Sequence, residues 1–231
     1  MPSEMSDADP HADAYITEQI SVGLIERMVN KATAETKLLV TAGEQESYCR
    51  LPGLFGGKEY RFTVPGFSKR ILFFNIEEHP ENIRARNVSI SLVDANESFP
   101  NGAIRIELTF EENGGEIGGT FKGNLTDLHL SASVGIALQE NSLTYDRVEV
   151  KLDFNLEVVG LPDSLGETVN GYVDKMKSQI ADELTSILMR EEIRSTASKE
   201  STDKIRAILP ENTTLRSVRI AEGTLFIQYS R

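Results

Sequence analysis

Three histidines (His11, His79 and His129) and one cysteine (Cys49) are the side chains of this chain best suited to proton transfer or nucleophilic attack near neutral pH. Their surroundings build no site. His11 lies in a polar, acidic opening segment, and His129 stands between Leu128 and Leu130, so strand alternation turns it away from the apolar face. Glu77, Glu78 and His79 are consecutive, and three adjacent residues on regular backbone cannot converge on one metal ion. A lone cysteine supports neither a disulfide framework nor a multi-cysteine metal centre, and no Gly-x-Ser-x-Gly elbow offers another nucleophile. Gly53-Leu54-Phe55-Gly56-Gly57-Lys58 looks superficially like a phosphate loop, but Pro52 stands where the first glycine belongs and Glu59 where Ser or Thr should follow. Gly114, Gly115, Gly118 and Gly119 separate two alternating runs, which makes them turn and bend glycines instead of a dinucleotide fingerprint. The expectation is a protein that is not an enzyme and carries no cofactor or metal.

Composition narrows the partners. The chain has 231 residues, 39% of them hydrophobic, enough for one sizeable core. Its net charge is -12, from 36 acidic and 24 basic residues with no block of Lys or Arg, so nothing supplies the phosphate-neutralising footprint of nucleic-acid binding. Residues 1–13 read as a disordered acidic tail, and residues 14–231 as a single domain. No signal peptide is legible, so the expected location is cytoplasmic, with export after leader removal or by another route left open. No run of about 18 apolar residues offers a membrane span. Sequons at Asn87, Asn96, Asn124 and Asn212 would matter only in a secreted eukaryotic chain.

Periodicity supplies the elements. Ile16, Ile20, Leu24 and Met28 recur every four residues, which predicts a helix from about Ile16 to Thr36 capped by Asp13. From Leu38 to Gly160 the period becomes two, as in a meander of strands. Val148, Val150, Leu152, Phe154, Leu156 and Val158 alternate with charged or polar residues over Arg147 to Val158, a strand of about 40 Å at roughly 3.3 Å per residue. Ile104, Ile106, Leu108 and Phe110 alternate likewise, and Asn113-Gly114-Gly115 offers a turn into a return strand. The apolar parity of that return strand switches at Thr126-Asp127, which predicts a bulge and a bent sheet. Ser164 and Glu167 have capping-box spacing and open a helix whose apolar stripe runs through Leu165, Val169, Val173, Met176, Ile180, Leu184, Ile187 and Leu188. A charged, helix-compatible stretch from Arg190 to Ile208 precedes Pro210, and a final hairpin is expected to rejoin the sheet.

This order of elements resembles the tubular lipid-binding (TULIP) superfamily, which includes bactericidal/permeability-increasing protein-like modules and the OrfX-type proteins of clostridial toxin clusters. Tyr15-Ile16-Thr17-Glu18-Gln19-Ile20 carries the likeness, as does the run Val148 to Val158 followed by Gly160-Leu161-Pro162-Asp163 and the helix. The resemblance implies an α+β fold in which a long, strongly bent antiparallel sheet wraps around a long amphipathic helix and holds a lipid or another apolar molecule. The strand face of Val150, Leu152, Phe154 and Leu156 is expected to pack on Val169, Val173, Met176 and Ile180. Ile106, Leu108, Leu130, Val134, Ile136, Val150, Leu152, Val173, Met176 and Ile180 are the expected cavity lining. Leu54, Phe55, Lys58 and Phe67, apolar and basic together, are candidates for peripheral membrane contact. The alternative is a non-enzymatic interaction or scaffold module with a filled core, such as a component of a toxin or secretion assembly, with a protein as partner.

Overall fold

A computed structural model describes residues 15–25, 37–39, 47–50, 58–62, 74–77, 85–110, 116–119, 122–159 and 163–231. The expected acidic tail lies outside the described residues. The elements are β1 (Ile16–Ser21), β2 (Lys37–Leu39), β3 (Ser47–Arg50), β4 (Glu59–Phe62), β5 (Phe74–Glu77), β6 (Ala85–Val93), β7 (Ala103–Phe110), β8 (Glu116–Gly119), β9 (Lys122–Gln139), β10 (Ser142–Val159), α1 (Asp163–Leu188), α2 (Glu191–Arg206), β11 (Thr214–Ala221) and β12 (Thr224–Ser230). Among the described residues the result is an α+β arrangement with three antiparallel sheets.

β9 and β10, each 18 residues long, form the spine of the main sheet. They are joined by a two-residue turn in which Glu140 and Asn141 both take positive φ (47° and 64°), the twist that matches a right-handed ribbon. β10 pairs along one edge of β9, while β7 and β8 share the other edge, and β6 and β5 extend it outward. Expectation placed the reversal at Asn113-Gly114-Gly115, residues outside those described. β8 continues on the same side of β9 as β7, so the chain reverses between Gly119 and Lys122 instead. A glycine pair permits a turn, but the register of the neighbouring strand decides where one is made.

The expected bulge is present. Asp153 faces His129 and Asn155 faces Thr126, which leaves Phe154 opposite both Asp127 and Leu128, with Asp127 at φ 55°. A second bulge lies at Asp146, where Tyr145 faces Ile136 and Arg147 faces Gly135. It moves the buried positions of β10 from Leu143 and Tyr145 to Val148, Leu152 and Phe154. The cross-strand register therefore gathers Ile90, Ile106, Leu108, Val134, Ile136, Val148 and Leu152 on one inner face. Ser89, Ser91, Arg105, Glu107, Ser131, Ser133, Glu149 and Lys151 take the outer face, with Phe99 packed over Gly135 at one end of it.

Two corrections concern the ends of the chain. Ile16–Ser21 is a strand paired with β12, not the start of a helix, and helix is confined to residues 22–25 of the described part. A spacing of four is a multiple of two and close to 3.6, so Ile16 and Ile20 align on one side of either structure, and the available edge of β12 decides. The terminal hairpin does form, turning at Glu222 and Gly223, but it pairs with β1 in a separate three-stranded sheet. That sheet meets the main one at the loop before β7. Ala95 N donates to Ile220 O (3.0 Å), and Ile220 N donates to Asn101 O (2.7 Å). A Cβ at Gly102 (φ 90°) would stand 2.6 Å from the Ile220 Cβ and 2.7 Å from Val93 O, so the close approach requires glycine.

α1 begins within a residue of the expected capping box and packs on β10. Its described buried positions, Val173, Ile180, Leu184, Ile187 and Leu188, join Leu152 and Phe154 in one core. The side chains of Leu156, Val169 and Met176 lie outside the described residues. At Arg190 the backbone becomes extended (φ -62°, ψ 138°), which separates α1 from α2.

Candidate functional site

The site is assembled on the inner face of the main sheet. Of the expected lining residues, Ile106, Leu108, Val134, Ile136 and Leu152 are buried on the strands, and Val173 and Ile180 are buried on α1. Leu130 and Val150 are only partly buried, and Leu128, Ile104 and Leu138 share that condition. Register places Leu130 between Leu108 and Leu152, and Ala132 between Ile106 and Val150. The centre of the inner face is thus less covered than the residues on either side of it.

Ile106, Val134 and Ile136 line an apolar pocket of about 60 Å³ together with Ile104, Leu143, Thr144 and Tyr145. Its far wall is Ala197, Ser198 and Ser201, which belong to α2 and not to the helix that the sequence stripe singled out. The reason is side-chain size. α1 fills its contact with large residues such as Ile180, Leu184 and Ile187, whereas α2 offers two serines and an alanine to a wall of branched aliphatics. The small residues of this otherwise charged helix were the sequence signal for its role as a wall.

α2 is attached to the edge of β10 chiefly through polar side chains four residues apart. Arg194 Nε donates to Tyr145 O (3.2 Å), Ser198 Oγ donates to Leu143 O (2.7 Å), and Arg206 Nη2 donates to Asn141 O (2.9 Å). Buried Thr202 Oγ1 accepts from Leu143 N at 2.9 Å. These bonds satisfy backbone groups that an edge strand otherwise leaves open. A polar groove of about 590 Å³ runs beside them, with Glu140, Ser142 and Thr144 on one bank and Ser195, Lys199 and Asp203 on the other.

Two tyrosines hold the junction of the helices. The Tyr145 hydroxyl donates to Leu188 O, the Arg194 guanidinium lies 5.9 Å from the Tyr145 ring centre, and that of Arg190 lies 5.8 Å from the Tyr60 ring centre. Burial pushes the Tyr145 phenol up to about 12, against the opposing pull of Arg194. The Tyr60 phenol is raised by burial and by Glu192. Farther along, Lys177 Nζ donates to Asp153 Oδ1 at 2.7 Å, and that hydrogen bond is the main cause holding the exposed Asp153 carboxyl below its ordinary range.

Of the membrane-contact candidates, Lys58 is exposed immediately before β4, and Leu54, Phe55 and Phe67 lie outside the described residues. β4 pairs with β3, and its Tyr60 is buried. Among the described residues no three His, Cys, Asp or Glu side chains are grouped to hold a metal ion, and no helix is long and apolar enough to cross a membrane.

The sequence matches no family model and no curated protein. A solved structure of a lipopolysaccharide binding protein is similar to 94% of this chain and to 50% of its own, at 11% identity and a TM-score of 0.24. The chain thus spans half the length of that protein, and a likeness of this size decides neither fold nor function.

Proposed function

We propose that this chain binds a lipid or another apolar small molecule, without catalysing a reaction, on the inner face of its main sheet. The observation that carries the reading is the incomplete cover over Leu128, Leu130 and Val150, which lie amid buried aliphatic neighbours. Apolar surface left partly accessible among buried aliphatic neighbours is what a hydrophobic ligand covers with gain. The pocket beneath α2 would receive the end of such a molecule, and the long α1 stripe would form the opposite wall at β10.

A second reading has its own support. A pocket of about 60 Å³ has room for roughly two waters, so a closed core serving an interaction module is consistent with that part of the face. Organic extraction of the purified chain followed by lipid mass spectrometry separates the two. The ligand reading expects an apolar molecule in near-stoichiometric amount, reduced several-fold in Leu130→Asn. A parent that releases none removes the ligand reading and leaves the interaction module.

A further inference from the structure

The outer face of the main sheet is independent of any ligand on the inner one. Its register forms a grid across β6, β7, β9 and β10. One row reads Ser91, Arg105, Ser133 and Glu149, and the next reads Ser89, Glu107, Ser131 and Lys151. On the same face of β10, Arg147 precedes these rows and Asp153 follows them. Basic and acidic side chains thus alternate along both β7 and β10, with Ser133 and Ser131 between the two rows on β9 and His129 beside Asp153. Arg105 Nε donates to Ser133 Oγ (3.3 Å) and Ser89 Oγ donates to Glu107 Oε2 (3.2 Å), which hold two of these charges close to the sheet.

We infer that this face is a self-complementary docking surface on which a second copy of the chain packs. Consider a two-fold axis parallel to the sheet, perpendicular to its strands, and placed between the two rows. The rotation sets Arg105 over Glu107 of the other copy and Glu149 over its Lys151, each contact occurring twice, as an isologous interface requires, while Arg147 and Asp153 at the ends keep partners of their own chain in Ser98 O and Lys177. Ser133 of one copy, itself buried, lies over Ser131 of the other, so the centre of the seam carries no bulky side chain on β9, while Phe99 over Gly135 and His129 beside Asp153 stand at its two ends.

An axis parallel to the strands fits less well, because it would bring the loop around Phe99 against its own copy. That loop rises from the outer face: a Cβ at Gly135 would stand 2.7 Å from Phe99 Cδ1. Charge argues for this face over others. Arg105, Glu107, Arg147, Glu149, Lys151 and Asp153 sum to zero and Asp146 over Gly135 adds one negative charge, so on a chain of net charge -12 this face repels a second copy little. Strands about 4.8 Å apart and residues about 3.4 Å apart give a face of roughly 450 Å², and burying about 900 Å² in total makes a weak, reversible dimer.

Sedimentation equilibrium of the full chain over a range of concentrations tests the inference, with circular dichroism to confirm that each variant is folded. The parent is expected to show a concentration-dependent monomer–dimer equilibrium. Arg105→Glu alone and Glu107→Arg alone should each lower the association constant by roughly tenfold or more, because like charges then face one another twice. Mixing the two variants should restore association, since every facing pair in the mixed dimer is again opposite in sign. Arg105→Glu mixed with Glu149→Arg should remain monomeric. Rescue between separate chains cannot come from a change within one sheet. A parent that stays monomeric at every concentration, or a mixture that associates no better than its components, overturns the proposal.

Discussion

Tyr145 shows how much one side chain can carry at a junction. It is 4% exposed, closes the inner face of β10, and donates its hydroxyl to the last carbonyl of α1. Its phenol, pushed up to about 12 by burial, keeps its proton more tightly in the fold than in the unfolded chain. The contribution to stability is therefore complete below pH 10 and is lost as pH rises from 10 toward 12, by roughly 2 to 3 kcal/mol at full loss. Melting temperatures of the parent and Tyr145→Phe should differ modestly at neutral pH, where the variant loses about 1 kcal/mol of hydrogen bonding, and the gap should close and then reverse as pH rises through that window, because only the parent has a phenol to ionise. A gap that stays constant to pH 12 would place the phenol in solvent. Nothing in the sequence marked this residue beyond its place on a strand, because its partners come from α1 and α2, more than forty residues later.

At the scale of elements, α2 relates to β10 as a neighbouring strand would, with side chains in place of a backbone. Ser198 and Thr202 both reach Leu143, but only Thr202 accepts its N–H. Thr202→Val keeps shape and removes the acceptor, so it should cost about 1 to 3 kcal/mol and raise the hydrogen-exchange rate of the Leu143 amide. Ser198→Ala should cost less, since the Leu143 carbonyl keeps a bond from Thr202 at 3.3 Å. Unchanged exchange at Leu143 in Thr202→Val would show that water serves that edge equally well. The elements themselves were legible wherever a period ran long enough. The bulge at Asp127 was readable because regular alternation lies on both sides of it, and the same signal stood at Asp146, where buried positions pass from Tyr145 to Val148. β1 was misread because its two isoleucines suit a strand as well as a helix.

The arrangement of the whole molecule depends on pairings that local pattern does not encode. Alternation put Ile106, Leu108, Leu130, Val150 and Leu152 on one face, but it could not say that β7 and β8 share an edge of β9 or that β1 closes the terminal hairpin into its own sheet. Nor could it say which helix covers which part of the face, since cover depends on side-chain size across elements distant in sequence. That leaves a question about the inner face as a whole: whether it is a closed core or a core with an open centre. Leu152 and Leu130 are cross-strand partners, the first buried and the second partly accessible. Leu152→Asp puts a charge beside Phe154 with no partner within the core, so it should cost several kcal/mol or prevent folding. Leu130→Asn places a polar group of similar length where water already reaches, so it should cost no more than about 1 to 2 kcal/mol while weakening retention of an apolar ligand. Thermal melts of the two variants, read beside mass spectrometry of extracted ligand, test the contrast. Equal, severe losses of stability would mean that the centre is sealed like the rest of the core, because only an accessible position can take an amide without desolvating it.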